Sequence, residues 1–218
     1  MGVSTSLGCT DATSVKALKP PPAWVYNVQL PHNAPPNAFT ATSPGMQQPI
    51  LPNQVVRARR TAHDTDAARW QTGYSGGKHV FQVTFPAAHR GVHSSVGVGL
   101  EDAELHQKGR VGLVGGNHKS WGVNLSSRRS IHKGVMTGKF PTTQHALPDT
   151  FLMYLDLDSG TMSFGSDGVY FGAAHEMLPR GVPLFPMVSA TVPNATITIN
   201  YIGEATDVAP SAPPLVPY

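Results

Sequence analysis

The residues Gly73-Tyr74-Ser75-Gly76-Gly77 match G-x-S-x-G, the pattern that exposes a nucleophilic serine on a sharp turn between a strand and a helix. Alternating apolar residues follow the pattern, so a strand is expected over 78–85 and the glycines read as turn residues. Ten histidines raise the question of a metal. Only His89 and His93 have the four-residue separation that puts two imidazoles on one helical face, and Arg90-Gly91-Val92 between them holds no glutamate. His63-Asp64-Thr65-Asp66 is the best oxygen and nitrogen cluster, but it has no partner group in sequence. Glu101, Asp102 and Glu104 would suit glycoside hydrolysis only with a second carboxylate from another strand. The spacing shows none, and a solvated acidic loop is the expectation. No glycine-rich phosphate loop precedes a helix. The reading is of no catalytic residue, no metal and no cofactor.

The N-terminus carries a different chemistry. Met1-Gly2-Val3-Ser4-Thr5-Ser6 matches M-G-x-x-x-[S/T], the pattern for N-myristoylation of Gly2 after Met1 is removed. One acyl chain gives only reversible membrane binding, so stable anchoring needs a second signal. Cys9, the one cysteine of the chain, stands where palmitoylation would supply it. Lys16 and Lys19 add weak attraction to anionic lipid. A peripheral, cytoplasmic position at a membrane face is expected, which makes the sequons at Asn124 and Asn194 irrelevant.

The elements that would position such groups are strands. The chain has 218 residues, with 16 Lys+Arg against 13 Asp+Glu, a net +3. With 22 glycines and 20 prolines a helix bundle is excluded, because both residues weaken helix interiors. A single cysteine excludes an internal disulfide and a cysteine-based zinc site. The charged fraction is 13%, and no basic cluster is denser than Arg57, Arg59 and Arg60, so no nucleic-acid partner is expected. Phe81, Val83 and Phe85 fall on one face of a strand, with Gln82 and Thr84 on the other. Val96, Val98 and Leu100 alternate with small residues, and Ile197, Ile199 and Tyr201 alternate with polar ones. The run 151–157 is apolar on both faces. Asp158-Ser159-Gly160 and Ser166-Asp167-Gly168 are hairpin turns. The fold class read from this is an all-β sandwich with short helical turns at most. Residues 1–52 read as a Pro-rich acylated tether, disordered or docked on the body in part, with Trp24, Val25 and Tyr26 as the docking residues. Residues 53–205 form the sandwich, and 206–218 a second Pro-rich tail.

Several segments, in order, resemble the SPRY domain family. Gly77-Lys78-His79-Val80-Phe81-Gln82-Val83 is similar to its "G-x-H-x-W-E-V" strand, and Ser95-Val96-Gly97-Val98-Gly99 to its "V-G-V-A" strand. Gly115-Gly116-Asn117-His118-Lys119-Ser120-Trp121-Gly122 resembles "G-x-x-x-x-S-W-G". Leu155-Asp156-Leu157-Asp158-Ser159-Gly160-Thr161-Met162-Ser163-Phe164 resembles "L-D-x-x-x-G-T-L-x-F". Tyr170-Phe171-Gly172 continues the likeness, and Leu184-Phe185-Pro186-Met187-Val188-Ser189-Ala190 resembles "L-Y-P-A-V-S". Within the family the likeness is to the SOCS-box subgroup, through Thr65-Asp66, Arg69, Gly73-Tyr74-Ser75, Arg90-Gly91-Val92-His93 and Tyr201-Ile202-Gly203-Glu204. The SOCS box itself would follow Glu204, where about a dozen Pro-rich residues stand. Recruitment of a ubiquitin ligase through that module is not expected.

The resemblance implies two antiparallel sheets, with Trp121, Phe164 and Phe185 as core anchors. It also implies a non-catalytic function: binding a short peptide of a partner protein on a rim of loops. Carried across by position, that rim comprises Ala58, Arg59, Arg60, Thr61, Ala62, Leu100, Arg110, Leu113, Thr191, Val192 and Pro193. The subgroup usually has arginine where Ala58 stands, tyrosine at Arg110 and tryptophan at Val192. Those are its anchors for an acidic, Asn-rich peptide, so the resemblance does not by itself imply that specificity here. Arg59, Arg60 and Arg110 keep the surface basic, which suits an acidic partner. Two other readings remain: a substrate-recognition adapter for a ubiquitin ligase, and a carbohydrate-binding sandwich with Trp70 as the stacking residue.

Overall fold

The computed structural model describes residues 20–60, 63–139, 147–166 and 168–205. Gly2, Cys9, Lys16, Lys19, Thr61, Ala62 and Asp167 lie outside these described residues. The sixteen strands in chain order are β1 Val28–Gln29, β2 Phe39–Thr42, β3 Met46–Gln47, β4 Gln54–Arg57, β5 Asp64–Trp70, β6 Lys78–Thr84, β7 Ser95–Gly99 and β8 His106–Lys108. They continue as β9 Ser120–Asn124, β10 Arg129–His132, β11 Val135–Lys139, β12 Thr150–Asp156, β13 Thr161–Ser166, β14 Val169–His175, β15 Phe185–Ala190 and β16 Thr196–Ala205. Helical structure among the described residues is confined to the 3-10 turns Ala23–Asn27 and Ala87–His89.

The strands build two antiparallel sheets. Sheet A runs β14-β13-β12-β6-β16-β4-β3, with β1 also on β16; sheet B runs β11-β10-β9-β7-β15-β5-β2, with β8 also on β5. The alternation expected from the sequence sets the inner faces. Phe81, Val83, Phe151, Met153, Leu155, Ile197 and Ile199 of sheet A meet Trp70, Val96, Val98, Val123 and Val188 of sheet B in one core.

Two details depart from the sequence reading. Phe185 is not a core anchor. Val188 and Ala190 point inward, so by the period of two Phe185 lies on the outer face of sheet B, under the Arg69 guanidinium, 5.3 Å from the ring centre. Trp70 is fully buried between the sheets, edge-on to Phe39 at 5.1 Å. It therefore offers no ring to a sugar. On β12 the outer residue Tyr154 is buried, and Trp24 of the N-terminal 3-10 turn packs edge-on against it at 6.2 Å. That contact explains why the run 151–157 is apolar on both faces.

The segment 20–53 supplies β1, β2 and β3, which lie along β16, the β5 edge and the β4 edge. Phe39 and Met46 from it enter the core. Residues 100–119 fold back over the outer face of sheet B and form a small second core of Ala103, Val114 and Met187. Gly122 makes this possible: a Cβ there would collide with the Val114 carbonyl.

The register defines two ends. Phe85, Ser95, Asn124, Ala190 and Thr196 mark one; Lys78, Gly99, Ser120, Phe185 and Ala205 mark the other.

Candidate binding rim

The first end gathers the loop residues 58–60, 86–94, 109–112, 125–128 and 191–195. Their positions are fixed by backbone groups and a few polar side chains. Arg57 N–H donates to the Ala195 carbonyl at 2.9 Å, and Asn194 N–H donates to the Arg57 carbonyl at 2.9 Å. Thr196 N–H donates to His89 Nδ1 at 3.2 Å, and Asn124 Nδ2 donates to the Val92 carbonyl at 2.8 Å. Arg90 donates to the carbonyls of Phe85 and Leu147 at 2.7 and 2.8 Å, pinning the 86–94 loop. Val111 N–H donates to Thr65 Oγ1 at 3.1 Å, which holds the 109–112 loop over β5.

Beneath the rim lies a charged network that local sequence does not reveal. Arg57 on β4 shares the inward face with Val55, and Asp66 on β5 shares it with Ala68 and Trp70. Arg57 Nε donates to Asp66 Oδ2 at 3.1 Å, with neither side chain exposed. Asp66 also accepts from Arg59 Nε at 3.2 Å, Ser43 Oγ at 2.9 Å and His106 Nδ1 at 3.0 Å. Burial pushes its carboxyl up, but the Ser43 and His106 hydrogen bonds and the Arg59 and Arg57 charges outweigh this. They hold it below the usual carboxylate range. Arg57 spends further donors on the carbonyls of Asp64, at 2.8 Å, and Arg59, at 3.3 Å. Gly45 packs so close to the Asp66 carboxylate that a Cβ would overlap it.

Two of the three arginines in the apparent basic cluster are thus neutralised internally. Arg57 is buried against Asp66, and Arg59 is held between Asp66 and Asp64, the latter at 3.4 Å. Arg60 and Arg110 are exposed. A shallow cleft of about 260 Å³ opens at this end, lined by Pro44, Gly45, Gln47, Ala58 and Arg59. It has room for a side chain rather than a folded ligand, and the small Ala58 side chain helps keep it open.

The other positions carried over from the resemblance divide. Val192 and Pro193 sit on the rim, half-buried, and Val192 packs on the core. Thr191 is buried at the same end. Leu113 is only 1% exposed, so its side chain is closed to a partner. Leu100 follows Gly99, whose strand mate is Phe185. It therefore stands at the opposite end, roughly 23 Å from Thr191 at 3.3 Å per strand residue. Thr61 and Ala62 lie outside the described residues.

The alternative chemistries fare as follows. A strand, not a helix, follows Gly73–Gly77, so Ser75 is not on an elbow turn. Among the described residues no three His, Cys, Asp or Glu groups gather to hold a metal. Asp102 is tied to Lys119 at 2.7 Å, and that hydrogen bond lowers its pKa.

A family model for the SPRY domain matches residues 78–204, more than half of the chain. The chain belongs to the SPRY domain family, a class of protein-interaction modules. It is 39% identical over 155 residues to the human SPRY domain-containing SOCS box protein 1, covering 68% of this chain and 56% of that protein. It is 39% identical over 149 residues to the Drosophila melanogaster protein gustavus, covering 65% and 53%. The chain thus spans about half the length of these curated relatives. Among solved structures it resembles the TRIM65 PSpry domain, with a TM-score of 0.57 at 16% identity, covering 75% of this chain and 88% of that one. The SPRY domain of human HERC1 gives a TM-score of 0.53 at 14% identity, covering 78% and 100%. These two likenesses bear on the fold alone.

Proposed function

We propose that this protein is a non-catalytic SPRY interaction module, held at a cytosolic membrane face by acyl chains at Gly2 and Cys9, that binds a partner peptide through its rim loops. The observation carrying the binding half is the cleft lined by Ala58 and Arg59 with exposed Arg60 and Arg110 at the same end. A rigid sandwich that fixes loops at one end suits peptide capture. The net basic character of these two positions favours an acidic partner. The motif Met1-Gly2-x-x-x-Ser6 with Cys9 nearby carries the membrane half.

The test is capture from lysate with the intact chain. Arg60→Glu combined with Arg110→Glu should remove most of the captured set, and an unchanged set would show the rim to be misplaced. Gly2→Ala should shift the protein from the membrane to the soluble fraction; unaltered fractionation removes the anchor. A second reading, a substrate-recognition adapter for a ubiquitin ligase, is favoured by the SOCS box and F-box in the names of relatives. Co-purification of ligase subunits with the intact protein would support it.

A further inference from the structure

The end of the sandwich opposite the rim carries exposed apolar side chains where the proposed tether begins. Tyr26 is 72% exposed, Leu30 60% and Ile202 40%. They converge through backbone pairing. Val28 and Gln29 of β1 pair with Ala205 and Glu204 of β16, and a Cβ on Gly203 would touch the Leu30 amide nitrogen. Ile202 immediately precedes that glycine. Tyr26 closes the 3-10 turn that lays Trp24 on Tyr154, and Tyr154 pairs with Val80, which pairs in turn with Gly203. Within the rim loops, by contrast, Val92 is the large apolar side chain that is exposed among the described residues.

We propose that Tyr26, Leu30 and Ile202 form a lipid-contacting patch that seats this end of the domain in the interfacial layer of a bilayer. The inference rests on the membrane reading above and deepens it. The occupant is argued from where the chain goes: residues 1–19, with Gly2 and Cys9, join the described structure at Pro20, four residues before Trp24. A stretch of that length reaches up to roughly 60 Å when extended, so acyl chains alone leave the domain free to tumble. An apolar patch at the root of the tether removes that freedom. Its residue types suit the boundary, since aromatic rings with a polar tip prefer the headgroup level and aliphatic side chains the layer beneath. The three side chains of the patch are uncharged, and Glu204, two residues after Ile202, has a side chain that is 44% exposed, so the contact is apolar rather than electrostatic. Thr196, where β16 meets the rim, lies about 20 Å along the strand from Ile202 at about 3.3 Å per residue, so the rim stays clear of the patch.

Fluorescence of the full chain on vesicles tests this. The chain carries an N-terminal histidine tag and is loaded on phosphatidylcholine vesicles with a nickel-chelating lipid, so seating is measured without any acyl chain. Trp24 is the reporter, because Trp70 and Trp121 are buried, and Trp24→Phe identifies its share of the signal. Brominated phosphatidylcholine should quench Trp24, and the quenching should survive high salt. Tyr26→Glu with Leu30→Glu should abolish most of it while the thermal midpoint stays within a few degrees. Absence of quenching in the unaltered chain overturns the patch without needing any variant, as does equal quenching in the folded double variant. Membrane retention of Gly2→Ala would sink the acyl anchor and leave this result standing.

Discussion

Arg57 Nε and Asp66 Oδ2 meet at 3.1 Å across the seam between the two sheets, with neither side chain exposed. One pair therefore ties β4 of sheet A to β5 of sheet B directly under the rim. Desolvating both charges costs several kcal/mol, which the pair recovers only because Ser43, His106 and Arg59 complete the shell of Asp66.

Asp66→Asn keeps the shape and removes the charge. Arg57 is then buried without a counter-ion, a loss of about 3–5 kcal/mol. The thermal midpoint should fall by about 10 °C in a protein of this size, read by calorimetry. Arg57→Met with Asp66→Leu should recover most of that, since well-packed apolar replacements of a buried pair are close to neutral. A midpoint for Asp66→Asn within 2 °C of the parent would refute the role.

Gly45→Ala should act on the same network from outside. The added Cβ would overlap the Asp66 carboxylate, so either the carboxylate or the 43–46 turn must shift. Overpacking of this kind costs about 1–3 kcal/mol. The cleft beside Ala58 should change with it, so partner capture should weaken along with chemical stability. Intact capture alongside lowered stability would separate the network from the rim.

Stability should fall in mild acid. His79 Nε2 lies 2.9 Å from the Gly76 carbonyl, so Nε2 carries the proton and Nδ1 accepts from the Tyr201 hydroxyl at 3.0 Å. Burial pushes the His79 and His175 imidazoles below their ordinary value of 6.5. The unfolded chain thus takes up protons first as pH drops. The thermal midpoint should be level above pH 7 and decline from about 6.5 downward until the folded-state values are passed. Asp66, whose pKa is lowered from 3.8, contributes stability that is lost only at still lower pH. His79→Phe should flatten part of the slope between pH 6.5 and 5. A slope identical to the parent's would count against the buried neutral ring.

Leu100→Ser separates the ends of the molecule. Leu100 packs on the core at the end away from Arg110. The substitution should cost about 1–2 kcal/mol and leave capture unchanged, whereas Arg110→Glu should weaken capture and leave stability nearly unchanged. Equal loss of capture in both would place the binding surface elsewhere.

The inward alternation of Phe81, Val83 and Phe85, and of Ile197, Ile199 and Tyr201, was legible because a period of two needs only neighbouring residues. The same rule, extended two residues from Val55, points Arg57 inward, and it places Asp66 on the face of Ala68 and Trp70. Proximity to Arg59 and Arg60 made Arg57 look like surface charge instead. Its partner lies on another sheet, and local spacing does not report pairing between sheets. Phe185 and Trp70 were misassigned for a related reason: large aromatic side chains suit both the core and an outer face. Only the register of β15 and β5 decides which they occupy. The rim positions Leu113 and Leu100 came from likeness by position, which carries no information on whether a side chain is covered.

Val28 lies opposite Ala205, so the first strand and the end of the last strand lie side by side, away from the rim. A fluorescent reporter or affinity handle joined after the last strand would therefore sit away from the rim and leave it clear. The tight turn between Asn124 and Arg129, closed by the Asn124 carboxamide oxygen accepting from Ser126 and Ser127 N–H, is the reverse case: an epitope inserted there would obstruct capture and leave the far end clear.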